Sequence, residues 1–455
     1  MDSNLLIINS LLFIFICAML TIFLIFKIKK YSVFHIAVIY LTLSMIDTFI
    51  PSILWTIYGI ENLPPWLSSF TNAELSWGML YYSIFYIIMF STMMIFAQAN
   101  QARWLVSYKA DNSYIKSRIN IFLLITGTLF FTSLVYEIYS YGGFTEWLFN
   151  KFTLRFNPTV RDRNLLEVFL KTMPWRSLFN ALVFLAFFYR YKFNRPKLYG
   201  VLLPLVGVIF ALTTSFRGSI LIFLLGLFFM ENIRIYIHER EKYKSSFGLG
   251  KETMHKLKYY VFAFVVVGAF LAYGALRGAY VNEVLDRDPS DKQSTIYKVL
   301  SQGSGIQGIS AVMRRYGEDL DFLMGRTYID MLLLPIPRVI YTSKPEWYGV
   351  DDITTGMGWP SSSQSAVTMP GEAYANFGWF GQLIAVLYGI AFGMFLKYIN
   401  NKGGIYIVLY ASVIIPVIFV SNWMAFTGIM NMFFPAVFLV CMLWLINVRF
   451  IKKRV

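Results

Sequence analysis

Long apolar runs recur along the whole of this chain, and they restrict its possible folds more than any other feature. A helix needs about 20 apolar residues to cross about 30 Å of hydrocarbon, and runs approaching that length follow one another between residues 5 and 448. Hydrophobic residues make up 57% of the 455 residues, charged residues make up only 14%, and the mean hydropathy is +0.57. Since a soluble domain cannot hide so much apolar surface, the sequence predicts an all-α polytopic membrane protein.

The apolar runs predict about eleven transmembrane helices, of which the sixth and seventh are short. The two cysteines, Cys17 and Cys441, both fall within these runs, so we expect no disulfide. In chain order the predicted helices lie at 5–26, 33–59, 77–97, 119–139, 175–190, 199–213, 219–232, 259–276, 379–397, 405–420 and 429–448.

The basic residues orient the predicted bundle, because lysine and arginine are retained in cytoplasmic loops. The segment "KIKK" follows the first helix, a basic stretch runs from Arg234 to Lys258, and the chain ends in "IKKRV". The loop at 60–76, which falls on the opposite side, has no lysine or arginine. We therefore predict a periplasmic N-terminus and a cytoplasmic C-terminus. The net charge of +15 is mostly this orientation signal and requires no nucleic-acid partner.

This topology divides the chain at its largest loop. Residues 1–276 hold the first eight predicted helices, with an amphipathic periplasmic segment at 140–174. Residues 277–378 form one large periplasmic loop, and residues 379–455 hold the last three helices and a basic cytoplasmic tail. Because long loops of this kind usually carry function, we expect the working face on the periplasmic side.

Arg217 stands in "TTSFRGSILI", in the short outer turn between the sixth and seventh predicted helices. An arginine at membrane depth costs about 2.5–3.5 kcal/mol on insertion scales, and the orientation signal gives no reason for one at this end of the helices. Thr213, Thr214 and Ser215 supply hydroxyl donors beside it, and the next helix begins there with its positive dipole end. Since a guanidinium can bind two phosphate oxygens at once, we predict that Arg217 binds phosphate.

Several cations of the large loop are candidates for the same chemistry, but simpler explanations exist. Arg277, in "LRGAY", is equally explained as a helix-end cation whose side chain reaches the interface. Arg314 begins an arginine pair on a predicted helix, where a solvated or headgroup-facing surface is the more ordinary interpretation. Arg338 and Lys344 occur in "PIPRVIYTSKPEWY". The segment "GSGIQG" matches a nucleotide-binding pattern, but no strand is predicted before it, so we discount it.

Four short motifs resemble those of the O-antigen (Wzy-type) polymerases and, more distantly, of the O-antigen ligases. These motifs are "TTSFRGS", "LRGAY", "PIPRVIYTSKPEWY" and "GEAYANFGWFG". The architecture is also similar, with many helices and one large periplasmic loop in the C-terminal third. The resemblance implies a metal-independent glycosyltransferase of the bacterial inner membrane that joins undecaprenyl-pyrophosphate-linked oligosaccharide units into O-antigen or a related surface polysaccharide. Donor and acceptor are then both lipid-linked, no cofactor is needed, and a chain-length-regulating co-polymerase is the implied partner.

The resemblance also assigns roles to the candidate residues. The cations are expected to hold lipid pyrophosphate at the outer membrane boundary, where developing charge is stabilised electrostatically. Aromatic side chains of the loop and its exit are expected to stack on sugar rings. The expected pyrophosphate-binding residues are Arg217, Arg277, Arg314, Arg338 and Lys344, and the expected sugar-stacking residues are Trp347, Tyr348 and Tyr374.

The acceptor hydroxyl loses a proton during transfer, and a carboxylate is the expected base because all three histidines map to the cytoplasmic side. Our first choice is Glu372 of "PGEAY", which lies next to the predicted re-entry into the membrane. Asp319 and Asp351 are weaker candidates. Glu372 is equally well explained as a helix cap or as the partner of an arginine. No metal-ligand cluster is apparent in the sequence.

Other functions stay open at the level of sequence. A ligase would use nearly the same arginines but usually has a catalytic histidine in its large loop, and this loop has none. A flippase or other transporter is expected to show two similar halves, and no internal repeat is apparent. A metal-dependent lipid-phosphate-sugar glycosyltransferase generally places an acid after its first helix, where this chain is basic. A non-catalytic scaffold would leave Arg217 unexplained.

Overall fold

The described part of the chain is helical. The computed structural model describes residues 70–97, 113–147, 175–189, 223, 225–227, 230, 304–332, 353–354, 356, 367–402, 404–417 and 426–447. Within these ranges the only β pairing is an isolated bridge between Tyr316 and Leu320. The described α-helices, named α1 to α8 in chain order, are Asn72–Ala97, Ser113–Ser140, Trp175–Tyr189, Ser304–Arg315, Arg326–Leu332, Met369–Phe377, Gln382–Lys402 and Phe426–Asn447.

Three stretches of the described residues are helical, long and apolar enough to cross a membrane. They are Asn72–Ala97, Ser117–Ser140 and Met369–Ile399, and a shorter apolar helix covers Ala436–Ile446. The first two coincide with the helices predicted at 77–97 and 119–139. The helices predicted at 5–26, 33–59, 199–213 and 259–276 lie outside the described residues, and only a few residues of the one predicted at 219–232 are described.

The chain divides into two compact units, each assembled from distant segments. The first unit draws on Met1–Asn100, Gln293–Tyr398 and Val417–Met432, and the second on Gln101–Lys292, Ile399–Pro416 and Phe433–Val455. Helices α1, α4, α5 and α6 and most of α7 therefore belong to the first unit, whereas α2 and α3 belong to the second. The candidate site described below lies within the first unit.

Helix α1 begins earlier than its apolar run because a capping box extends it. The Thr71 hydroxyl accepts a hydrogen bond from the Glu74 amide at 3.2 Å, and the Thr71 amide donates to Glu74 Oε2 at 2.7 Å. This reciprocal pair satisfies amides that have no partner within the helix. The following turns bury a continuous set of large side chains, which are Leu75, Met79, Tyr81, Tyr82, Phe85, Tyr86 and Met89.

Helices α1 and α7 run parallel and side by side. The Trp77 and Trp379 rings meet edge to face at 6.3 Å, at the start of the two helices. Two turns further along, the Phe85 and Tyr388 rings meet at 6.1 Å. The contact continues as "GIAFG", in which both glycines pack on the α1 backbone: a Cβ atom on Gly393 would lie 2.8 Å from the Met93 carbonyl oxygen. Glycines four residues apart are the usual means by which membrane helices approach this closely.

Helix α4 packs against the first half of α1 in the opposite direction. Arg314, near its C-terminal end, binds Glu74 in the first turn of α1. One turn earlier on α4, Ser310 lies against Gly78, where a Cβ atom would be 3.2 Å from Ser310 Cβ. Pairs whose numbers rise on one helix and fall on the other define an antiparallel arrangement. The predicted large loop at 277–378 therefore includes a helix that packs along α1.

A sharp turn separates α6 from α7. Gly378 has φ +58° and ψ −137°, a conformation that side chains with a Cβ atom rarely adopt. A 3₁₀ turn at Gly378–Gly381 follows, and Gly381 lies so close to Ala373 that a Cβ atom would be 2.4 Å from its carbonyl oxygen. Residues eight apart in a straight helix are about 12 Å apart along the axis, so α6 folds back onto the start of α7. The helix predicted at 379–397 accordingly begins at Gln382.

The second unit is held together by aromatic packing. The Phe179 ring of α3 stacks on Phe130 of α2 at 5.7 Å, and it also lies against Gly127. Where a regular helix is predicted at 405–420, the described residues contain a 3₁₀ turn at Gly404–Ile407 and a π-helical segment at Tyr410–Ile414. At the other end of this unit, Arg118 donates a hydrogen bond to the Leu445 carbonyl at 2.5 Å.

Candidate functional site

Glu372 occupies the first turn of α6 and is fully buried. The cap of this helix is Thr368, whose hydroxyl accepts a hydrogen bond from the Gly371 amide at 3.3 Å. Pro370 follows the cap, where its fixed φ and missing amide favour the start of a helix. The local sequence "TMPGE" thus places the Glu372 carboxyl at the positive end of the helix dipole, which favours negative charge. Its solvent exposure is 0%, so the carboxyl is shielded from bulk water.

Two tyrosine hydroxyls interact electrostatically with the Glu372 carboxyl. Tyr328 comes from α5 and Tyr388 from α7, and each interacts electrostatically with Glu372 and with the other. Burial, together with the nearby carboxylate, raises the pKa of the Tyr328 hydroxyl well above its ordinary value. Tyr328 therefore keeps its proton at physiological pH. Its ring is held in place by stacking on Phe377 at 6.2 Å.

Asn376, one turn after Glu372, joins α6 to the turn that precedes α5. Its amide nitrogen donates hydrogen bonds to the Thr327 hydroxyl and to the Glu372 carbonyl, both at 2.8 Å. Its amide oxygen accepts from the Gly325 amide at 3.0 Å. Asn376 and Thr327 are both fully buried. Since Tyr328 is the next residue after Thr327, the Asn376 amide fixes the segment that carries Tyr328.

The same turn is bound to α6 through the backbone as well. The Leu323 amide donates to the Ala375 carbonyl and the Met324 amide donates to the Asn376 carbonyl, both at 3.0 Å. Met324 adopts a positive φ of 46° and Gly325 one of 87°. A non-glycine residue in this conformation is uncommon and persists only when its surroundings hold it. The loop between α4 and α5 is therefore tied closely to the helix that carries Glu372.

Arg314 forms a bidentate ion pair with Glu74. Its Nε atom lies 2.5 Å from Oε1 and its Nη2 atom 2.7 Å from Oε2. The guanidinium also lies 4.5 Å from the centre of the Phe70 ring, within the range of a cation–π interaction. Both side chains are about one third exposed. Arg314, which the resemblance implies as a pyrophosphate-binding residue, thus joins α4 to α1 in this structure, and phosphate binding by Arg314 stays a prediction.

The other predicted site residues lie in different surroundings. Asp319 is exposed and pairs with Arg315 at 2.7 Å, apart from the buried residues around Glu372. Tyr374 is only 8% exposed, and its ring meets those of Tyr81 and Phe322 at 5.2 and 6.0 Å. In this structure its ring is packed inside the unit, and sugar stacking stays a prediction. The remaining predicted residues lie outside the described residues: Arg217, Arg277, Arg338, Lys344, Trp347, Tyr348 and Asp351.

Sequence reasoning missed Tyr328, Tyr388 and Asn376. Tyr388 falls in an apolar helix and Tyr328 in a short helix of the loop, where the sequence gives no sign that they meet. Glu74 was also missed, although "TNAE" follows the S/T-x-x-E pattern of a capping box. Within the described ranges, no group of three or more histidine, cysteine or acidic residues is arranged to hold a metal ion.

The described geometry is that of a helical protein with candidate membrane spans and a buried polar cluster, formed by Glu372, Tyr328, Tyr388, Asn376 and Thr327, inside one of its units. No protein-family model, no curated protein and no solved structure matches this chain.

Proposed function

We propose that this protein is a polysaccharide polymerase that joins undecaprenyl-pyrophosphate-linked oligosaccharide units at the periplasmic face of the bacterial inner membrane. The observation that carries the proposal is the fully buried carboxyl of Glu372, which is set among tyrosine hydroxyls in a unit built from apolar helices. Buried titratable groups that interact electrostatically with one another are frequent at functional sites.

In the proposed reaction Glu372 is the general base. It takes the proton from an acceptor hydroxyl as the oxygen forms a bond to the anomeric carbon of the donor glycan. The bond from that carbon to the pyrophosphate oxygen breaks, and the lipid keeps the pyrophosphate. The Tyr328 hydroxyl, whose pKa is raised by burial and by the charge of Glu372, stays protonated and interacts with this base electrostatically. General-base catalysis of this kind contributes about 10²- to 10⁴-fold to a rate.

The negative charge that develops on the leaving pyrophosphate requires cations, and the proposal assigns this task to Arg217, Arg277, Arg338 and Lys344. Arg314 is assigned the same task, with Glu74 holding its guanidinium in one orientation.

Complementation of a polymerase-null bacterial strain tests the proposal. The wild-type gene is expected to restore a ladder of long polysaccharide chains on gels, and Glu372→Gln is expected to leave mainly single-repeat product at a normal protein level. Asp319→Asn is the matched control, because it removes an exposed carboxylate and is expected to keep the ladder. If the wild-type gene restores no ladder, or if Glu372→Gln matches wild type, the proposal is wrong.

Arg217 provides a second, independent test of the chemistry. A charge-assisted hydrogen bond contributes about 1.5–3 kcal/mol, so Arg217→Ala is expected to lower the rate by roughly one to two orders of magnitude. Arg217→Lys keeps the charge but loses the bidentate geometry, and it is expected to recover activity only in part. Wild-type polymerisation by purified Arg217→Ala would give this arginine a structural role. If loss of this gene leaves a strain with no decorated lipid at all, rather than lipid carrying a single repeat, that result indicates the ligase or flippase alternative.

A further inference from the structure

The outer surface of α1, α7 and the 3₁₀ turn before α7 carries a ridge of exposed apolar side chains, which is typical of a surface that contacts lipid. The ridge consists of Trp77, Phe380, Leu383 and Leu387, which are between 51% and 79% exposed. Since α1 and α7 run parallel, their residues can be compared level by level: Trp77 matches Trp379, and Phe85 matches Tyr388. Tryptophan is enriched at the membrane–water interface, so the tryptophan pair indicates the level of that interface.

From the level of the tryptophan pair, helix α4 extends along α1 toward the middle of the bilayer. The pairs Arg314–Glu74 and Ser310–Gly78 set its register on α1, and continuing this register puts Ser304 level with Ile84. With a rise of 1.5 Å per residue, α1 is about 39 Å long and its centre is close to Ile84. Hydrocarbon about 30 Å thick and centred on α1 would therefore surround at least the N-terminal two thirds of α4.

The sequence of α4 changes along its axis as that position requires. Its first ten residues, "SGIQGISAVM", carry no charge, and from Gly305 to Arg314 all are buried or half-buried. The charges come at its end, where Arg314 is half-buried and Arg315 is exposed, and exposed acidic residues follow directly. Its uncharged polar side chains Gln307 and Ser310 share one helix face with Arg314, and this face is turned toward α1, where Ser310 packs against Gly78.

We propose that Ser304–Arg315 is a re-entrant membrane helix, which descends beside α1 to about the bilayer midplane and whose partner beyond the protein is lipid. This part of the large loop then lies within the membrane, and only its charged end and the turn after it face water. Helical backbone is tolerated at this depth because its hydrogen bonds are made within the segment and its neighbours are protein.

Depth-dependent fluorescence quenching on the full-length protein in liposomes tests the proposal. Single cysteines at Gln307 and Arg315, in a background with Cys17 and Cys441 replaced by serine, carry an environment-sensitive dye. Phospholipids with a nitroxide at acyl carbon 5 or carbon 12 serve as shallow and deep quenchers. The Gln307→Cys dye is expected to be quenched at least twofold more by the deep quencher, and the Arg315→Cys dye more by the shallow one.

Two exposed positions, one on α7 and one in the 3₁₀ turn before it, calibrate the depth scale. Leu387→Cys should report the deep level and Phe380→Cys the shallow one, because they lie near the levels of Phe85 and Trp77. The proposal is overturned if the Gln307→Cys dye follows the shallow standard, or if aqueous iodide quenches it as strongly as the dye at Arg315→Cys.

A disulfide cross-link tests the packing of α4 on α1, on which the proposal depends, even if a dye at position 307 prevents folding. The Cβ positions of Gly78 and Ser310 are 3.2 Å apart, close to the 3.5–4.5 Å that a disulfide spans. The pair Gly78→Cys and Ser310→Cys is expected to cross-link fully under mild oxidation in membranes. The pair Ser91→Cys and Ser310→Cys is the control, because Ser91 lies about 20 Å further along α1, and it is expected to stay reduced. Absence of the first cross-link, or equal yield from both pairs, overturns the proposal.

Discussion

The contact between Asn376 and Thr327 gives the sharpest test of how the buried cluster is held. Asn376→Leu keeps much of the side-chain volume but removes the whole amide. It abolishes the bonds to the Thr327 hydroxyl and the Glu372 carbonyl, and it leaves the buried Gly325 amide without its partner. An unsatisfied buried group costs about 1–3 kcal/mol, and a net hydrogen bond contributes about 0.5–1.5 kcal/mol. We therefore expect the free energy of unfolding to fall by about 2–4 kcal/mol.

A double-mutant cycle isolates the term that belongs to the pair. Thr327→Val alone is expected to cost about 1 kcal/mol. In the double variant the Thr327 hydroxyl is absent and is no longer left unsatisfied, so the total cost should be about 1 kcal/mol smaller than the sum of the single costs. The measurement is unfolding of the purified protein by sodium dodecyl sulfate in mixed micelles.

Thr132→Val is the matched control for this cycle. Thr132 is exposed, and its hydroxyl donates only to the Thr128 carbonyl of its own helix at 2.9 Å. Its removal should change the free energy of unfolding by less than about 0.5 kcal/mol. Strict additivity of Asn376→Leu and Thr327→Val, or a cost of Asn376→Leu no larger than that of the control, would refute the view that this amide fixes the cluster.

Three further predictions address the packing, the ion pair and the topology. Gly381→Ala should lower the midpoint temperature of unfolding far more than Gly371→Ala. A Cβ atom at Gly381 would lie 2.4 Å from a backbone oxygen, whereas one at Gly371 would make only ordinary contacts from 3.5 Å. Equal midpoint temperatures would contradict the folded-back turn. Arg314→Lys loses the bidentate geometry, and it should reduce the free energy of unfolding by about 1 kcal/mol or less because the ion pair is partly exposed. A loss above about 3 kcal/mol would mean that the pair is effectively buried. A cysteine at Thr145 should react with an impermeant thiol reagent from the periplasm and one at Asn194 should not, and the reverse pattern would invert the predicted topology.

Apolar length and composition were enough to predict the helical class, but they do not fix where helices begin. The run that starts at residue 77 predicts the body of α1, whereas its true start depends on the polar pair Thr71 and Glu74. The run at 379–397 likewise overlooks the break at Gly378, because a single glycine within an apolar stretch has no effect on average hydropathy. Helix boundaries depend on local hydrogen bonds that composition does not record.

The candidate site was only partly predictable for a different reason. Glu372 was chosen from a short motif, which gave no information on its burial or on the residues around it. The residues around it come from α5 and α7, and their approach depends on tertiary contacts that leave no local pattern. Arg314 has the same difficulty, because its partner Glu74 is 240 positions away. For Tyr374 the sequence is ambiguous, because an aromatic residue in a helix can pack in the core or stack on a sugar ring.

The pairing of α1 with α7 has a consequence for how the protein is made. The contact between Met89 and Gly389 joins positions 300 residues apart in the chain. At a synthesis rate of about 5–20 residues per second, α7 leaves the ribosome roughly 15–60 seconds after α1. Throughout that interval α1 lacks the helix whose glycines pack against it, so this contact forms only after most of the chain has been synthesised. The first unit is therefore assembled late in synthesis, and a chain that stops before α7 cannot form it.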